Sequence, residues 1–144
     1  MLQRVQTLYL LAATVLMALV TFLPMVTFTT TSGEEALKAF DLVYIGALLA
    51  ICTLLPFITI WLFKNRWLQI RLCFAELVLL LGAQIFSIVY TARVTNGMRE
   101  SFAGLVADKN ITIIFPAIAF ILVILAIRGI IKDQQLIKSL DRIR

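Results

Sequence analysis

Ile70-Arg71-Leu72-Cys73-Phe74-Ala75-Glu76-Leu77-Val78-Leu79-Leu80-Leu81-Gly82-Ala83-Gln84-Ile85-Phe86-Ser87-Ile88-Val89-Tyr90 is the stretch that decides how this chain is read. It is a nearly unbroken apolar run of the roughly 20 residues that a helix needs to cross a ~30 Å hydrocarbon layer. A helix satisfies its own backbone hydrogen bonds there, whereas barrel strands would alternate polar and apolar residues over about ten positions. That alternation is missing. Past Arg71 at its edge, Glu76, Gln84 and Ser87 are the polar exceptions, and in such surroundings they are the residues that cost most to keep.

Three further runs have the same character, and 62% of the 144 residues are hydrophobic against 15% charged. A soluble domain could not cover its surface with that composition. The expectation is an all-α polytopic membrane protein, a single domain with helices at about 5–24, 42–63, 68–92 and 111–131 and a cytoplasmic tail over 132–144. Pro24 should end the first helix. Thr27 to Thr31 is β-branched and should be extended. Ser32-Gly33-Glu34-Glu35 matches a capping box, which predicts that the second helix starts near Gly33 and stands above the membrane through Asp41. Asn96-Gly97 should end the third helix or its extension, and Met98 to Val106 reads as a short surface helix. Asp108 or Asn110 could cap the fourth.

Lys and Arg residues set the expected orientation. Arg4, Lys64, Arg66, Arg71, Arg128, Lys132, Lys138, Arg142 and Arg144 fall at one end of the predicted bundle, and Lys38, Arg93, Arg99 and Lys109 at the other. Both termini are therefore expected in the cytoplasm. The net charge of +5 is explained by attraction to anionic headgroups, with no need for nucleic acid. Lys64, Arg66, Arg71, Lys132, Lys138 and Arg142 are the candidate lipid or partner contacts. In the tail, Ile130, Leu136, Ile137, Leu140 and Ile143 recur at helical spacing, which predicts an amphipathic helix continuing the fourth span.

Glu76 lies about 9 Å inside the cytoplasmic edge and needs a partner, a proton or water. Arg128 and Arg4 approach from the same side and are the candidate ion-pair partners, while Arg71 points elsewhere on the same helix. Glu76, Gln84 and Ser87 form one candidate intramembrane polar site. With so few polar groups on the other helices, that site reads first as interhelical glue.

Nothing in the chain matches a hydrolase, kinase, zinc or nucleotide motif. Histidine is absent and the two cysteines, Cys52 and Cys73, form no CxxC. The expectation is a non-enzymatic protein with no cofactor or metal. It would be an accessory or scaffold subunit binding membrane lipid and other membrane proteins, or itself, through its cytoplasmic face. The alternative is a small proton- or cation-coupled transporter or channel using Glu76.

Three segments carry a resemblance: Met1-Leu2-Gln3-Arg4-Val5-Gln6-Thr7-Leu8-Tyr9-Leu10-Leu11, then Leu62-Phe63-Lys64-Asn65-Arg66-Trp67-Leu68-Gln69-Ile70-Arg71-Leu72, and Ala126-Ile127-Arg128-Gly129-Ile130-Ile131-Lys132-Asp133 through Asp141-Arg142-Ile143-Arg144. With these the chain resembles an uncharacterised family of four-helix bacterial inner-membrane proteins known as a domain of unknown function. The resemblance implies a Gram-negative cytoplasmic membrane and supplies no activity, ligand or site. All three segments lie on the expected cytoplasmic face.

Overall fold

The computed structural model describes residues 2–30, 33–38, 43–62, 65–101 and 106–141. Its four helices are α1 (Leu2–Phe22), α2 (Val43–Trp61), α3 (Arg66–Ser101) and α4 (Phe115–Asp141). All four are long and apolar enough to cross a membrane. Each helix packs on its sequence neighbour, and α4 closes the ring onto α1, the most extensive seam of the four. The seam is tight because α4 places Gly129 against α1, where an added Cβ would lie 2.7 Å from Gln6 Cγ. Small and aliphatic side chains fill the centre, among them Leu10, Ala13, Met17, Leu49, Ala119, Val123 and Ala126. The outward faces carry Leu, Ile, Val and Phe in the open, as a lipid-facing surface requires.

A small sheet caps the end of the bundle away from the turn between α2 and α3. Strands β1 (Pro24–Thr30), β2 (Gly33–Lys38) and β3 (Val106–Lys109) form an antiparallel sheet in the order β2-β1-β3. β1 is central, pairing Thr27 with Ala36 on one side and Val26 with Lys109 on the other. Its run of Met25, Val26, Thr27, Phe28 and Thr29 favours a pleated, half-buried surface, and Met25, Val26 and Phe28 are buried under it. Extended backbone here agrees with the sequence reading.

The second prediction for this end fails. Glu34 and Glu35 lie in β2, opposite Thr29 and Phe28, so the Ser32–Glu35 box opens no helix. A capping box supplies at most two hydrogen bonds, while β1 offers a full ladder to the same residues. Ser32 itself lies outside the described residues, as do Phe40, Asp41 and Leu42.

The third helix does not stop at Asn96-Gly97 but continues to Ser101. Val94 and Met98 still pack on the core and Thr95 is buried, so the helix gains by continuing through the glycine. Val106 belongs to β3, not to a surface helix. Asn110 begins a 3₁₀ turn, Ile111–Ile114, but makes no side-chain cap there. Its Nδ2 instead donates to the Pro24 carbonyl at 3.1 Å and its backbone N–H to the Met25 carbonyl at 3.1 Å, tying the start of α4 to the end of α1. At the other end α4 runs unbroken through Gly129 to Asp141, so the predicted tail helix is its continuation. At 27 residues and 1.5 Å per residue, α4 is ~40 Å long, more than the hydrocarbon layer requires.

Candidate functional site

The inward face of α3 is assembled by spacing alone. Gln69, Cys73, Glu76, Leu80, Ala83, Ser87, Thr91 and Thr95 recur every three or four residues, and all are buried. Between Glu76 and Thr95 this stripe is about 28 Å long, close to the thickness of the hydrocarbon layer.

Contacts between helices fix the level of Glu76. Gln69 Nε2 donates to the Thr59 carbonyl at 3.4 Å. Two helical turns further along each antiparallel helix, Glu76 stands level with Cys52 of α2. At the start of α3, Arg66 Nη1 lies 2.7 Å from Asp133 Oδ2 on α4. Ten residues along each antiparallel helix from that pair, Val123 comes level with Glu76. The carboxyl group therefore sits among small and apolar side chains, with Cys73 one turn earlier on its own helix.

Glu76 is 0% exposed, and neither of its oxygens has a hydrogen-bond partner. Arg128 is exposed, on the outside of α4. The side chain of Arg4 lies outside the described residues. Arg71 is also exposed, as its angular offset from Glu76 predicts. Arg66, ion-paired with Asp133, lies ten residues from the acid at the start of α3, and that contact is ionic rather than a directed hydrogen bond.

Beyond Glu76, toward the sheet end, the polar groups of α3 show the same lack of partners. Ser87 Oγ, Thr91 Oγ1, Thr95 Oγ1 and Gln84 Oε1 are buried without hydrogen bonds. Gln84 is half-buried and turned toward the 3₁₀ turn that precedes α4, where its Nε2 donates to the Ile113 carbonyl at 3.1 Å. The threonines of α1 and α2 behave differently. Thr14, Thr21, Thr53 and Thr59 each donate to the carbonyl four residues back, at 2.7–2.8 Å, the usual way a hydroxyl is satisfied in a helix. Thr91 and Thr95 make no such bond.

Of the sequence-predicted site, the structure aligns Glu76 and Ser87 on one inward face and sets Gln84 beside it. Thr91, Thr95 and Gln69 were missed. Their signal was present, since Ser87, Thr91 and Thr95 are four residues apart, but a helix ended at Ala92 hides the last of them. Gln6 was missed as well; it is buried at the other end, with its Nε2 unpartnered.

Two surface grooves flank the bundle, and Glu76 borders neither. One, of about 250 Å³, lies between α1 and α2 and is lined by Ala18, Thr21, Phe22, Ala50, Thr53 and Leu54. The other, of about 520 Å³, lies at the α2–α3 turn and is lined by Asn65, Arg66, Trp67, Leu68 and Arg71. Exposed Arg128 and Lys132 lie toward the same end of α4. Lys64 and Arg142, and the side chain of Lys138, lie outside the described residues.

Cys52 and Cys73 are free thiols. Among the described residues, no group of three His, Cys, Asp or Glu side chains is placed to hold a metal ion.

A search of curated proteins returned no match to the chain. Its relationship is instead to a family defined by sequence: residues 2–143 match the profile of DUF4293, and the chain belongs to that family, a domain of unknown function.

Proposed function

We propose that this protein is a non-enzymatic membrane subunit that binds anionic phosphate headgroups, and through them or beside them other membrane proteins, at the end of the bundle that carries both chain termini. The observation that carries this reading is the groove at the α2–α3 turn. Arg66 and Arg71 supply charge, Asn65 supplies an amide donor, and Trp67 supplies an amphipathic ring of the kind that settles at headgroup depth. Arg66 is already held by Asp133, which leaves exposed Arg71 as the free cation of that groove among the described residues. Arg128 and Lys132 extend the basic surface along α4. The excess of Lys and Arg at this end supports a cytoplasmic orientation for it, in a bacterial inner membrane.

Extraction from native membranes in lipid-retaining polymer, followed by mass spectrometry of bound lipids and proteins, tests the reading. The full chain is expected to retain anionic lipid and at least one membrane protein, and the paired substitutions Arg71→Gln and Lys132→Gln are expected to lose both. A solitary protein with the lipid composition of the bulk membrane, unchanged by those substitutions, would count decisively against it.

A further inference from the structure

The headgroup reading makes no use of the most costly feature of the molecule, a fully buried carboxyl group with both oxygens unpartnered. An ionised carboxylate in such a place loses its hydration and receives nothing in exchange. Three things could neutralise it: a basic side chain, a metal cation or a proton. The helices packed against it exclude the first among the described residues. The buried positions of α1 (Gln6, Leu10, Ala13, Met17, Val20, Thr21) and of α4 (Pro116, Ala119, Val123, Ala126, Ile127, Ile130) include no titratable side chain, and α2 offers only Cys52. On α3 itself the inward neighbour is Cys73, and half-buried Tyr9 of α1 packs at the margin of the core. A metal cation would need several protein ligands, and among the described residues no group of three His, Cys, Asp or Glu side chains is placed to supply them. The proton remains.

The stripe beyond Glu76 supplies a way for a proton to travel. Ser87, Thr91 and Thr95 stand one turn apart, about 6 Å along the axis. Two hydrogen bonds of roughly 2.8 Å span that distance, so one water between each pair would satisfy hydroxyls that the protein itself leaves free. Gln84 Oε1 offers a further free acceptor on the inner side of Ser87. From Ser87 to Glu76 is about 16 Å, and on the stripe between them stand the bulky Leu80 and the small Ala83. On the other side of Glu76, Gln69 lies two turns away, close to the turn end of the bundle.

We propose that Glu76 is a proton-binding site inside the membrane, and that it exchanges its proton along a file of water held by Ser87, Thr91 and Thr95 on the inward face of α3, with Leu80 as the constriction. This makes the protein a proton-conducting or proton-coupled element, in addition to whatever its basic end binds.

The test uses the purified full chain in liposomes loaded with a pH-sensitive dye, with a potassium diffusion potential to drive protons. Wild-type protein is expected to admit protons well above empty liposomes, Leu80→Ala to admit them faster, and Glu76→Gln to lose about a hundredfold or more, as removal of a proton-transfer group does. Infrared spectra of the wild-type protein are expected to show the carbonyl stretch of a protonated carboxyl group that is missing from Glu76→Gln, a readout that does not depend on flux. Wild-type flux no greater than that of empty liposomes would overturn the proposal. So would a flux unchanged in Glu76→Gln, or the absence of a protonated-carboxyl band that Glu76→Gln removes.

Discussion

The inward faces of α3 and α4 meet in the same bundle and are built on opposite rules. α4 turns Ala119, Val123, Ala126, Ile127 and Ile130 inward, aliphatic throughout, and sets Gly129 against α1 so that the two backbones approach closely. α3 turns inward Gln69, Glu76, Ser87, Thr91 and Thr95, and most of their polar oxygens find no protein partner. Packing explains the first face. It cannot explain the second, because a sequence selected only for close fit would lower its energy by making those positions alanine or leucine. The comparison teaches that the α1–α4 seam is built for close packing and that α3 carries the polar groups which packing leaves without partners.

The largest effects should come from breaking the seam. Leu10→Ala removes a fully buried side chain of α1 and is expected to cost about 2–5 kcal/mol, measured as loss of folded protein in a detergent or denaturant titration. Gly129→Leu must displace Gln6 and separate α1 from α4, with an expected cost of about 1–3 kcal/mol in the same titration. The sheet end is smaller in effect. Asn110→Ala loses the hydrogen bond to the Pro24 carbonyl and should cost about 0.5–1.5 kcal/mol. Breaking the Arg66–Asp133 pair by Asp133→Asn should cost no more than about 1 kcal/mol, since both side chains keep some contact with solvent.

The α3 stripe should respond in the opposite sense. Ser87→Ala and Thr91→Ala delete oxygens that have no protein partner, so stability is expected to hold within about 0.5 kcal/mol or to rise. Proton flux in the same liposomes should fall. A loss of stability as large as that of Leu10→Ala would mean these hydroxyls are structural glue, as the sequence alone suggested, and the contrast between the two faces would disappear.

How much of this was legible beforehand follows from the range of the forces involved. The four spans were readable because the requirement to bury backbone polar groups in hydrocarbon acts on each run independently of the rest. Glu76 was readable for the same reason: an acid in such a run stands out in one dimension. The sheet was not. Glu34, Glu35 and Lys38 form β2 only because β1 lies beside them, and a local capping pattern gives no hint of a partner strand. Asn96-Gly97 misled in the same way, since a local stop signal yields when Val94 and Met98 on either side still have a core to reach. The lack of partners for Thr91 and Thr95 was invisible for a third reason. In a sequence, a threonine that bonds to its own helix and one that faces into the bundle look alike; the bonds of Thr14, Thr21, Thr53 and Thr59 separate the two groups only in three dimensions.

The most direct measurement is thiol accessibility across the two faces. In a background with Cys52 and Cys73 replaced by alanine, single cysteines at Ser87, Thr91, Thr95 and Val123 would be exposed in liposomes to a small, water-soluble, membrane-impermeant thiol reagent. A water file on α3 requires labelling at 95, 91 and 87, slowing inward from the sheet end, with 123 on α4 unreactive. Silence at all four positions, with the unfolded proteins labelling fully, would show that α3 is as dry as α4 and would contradict the account.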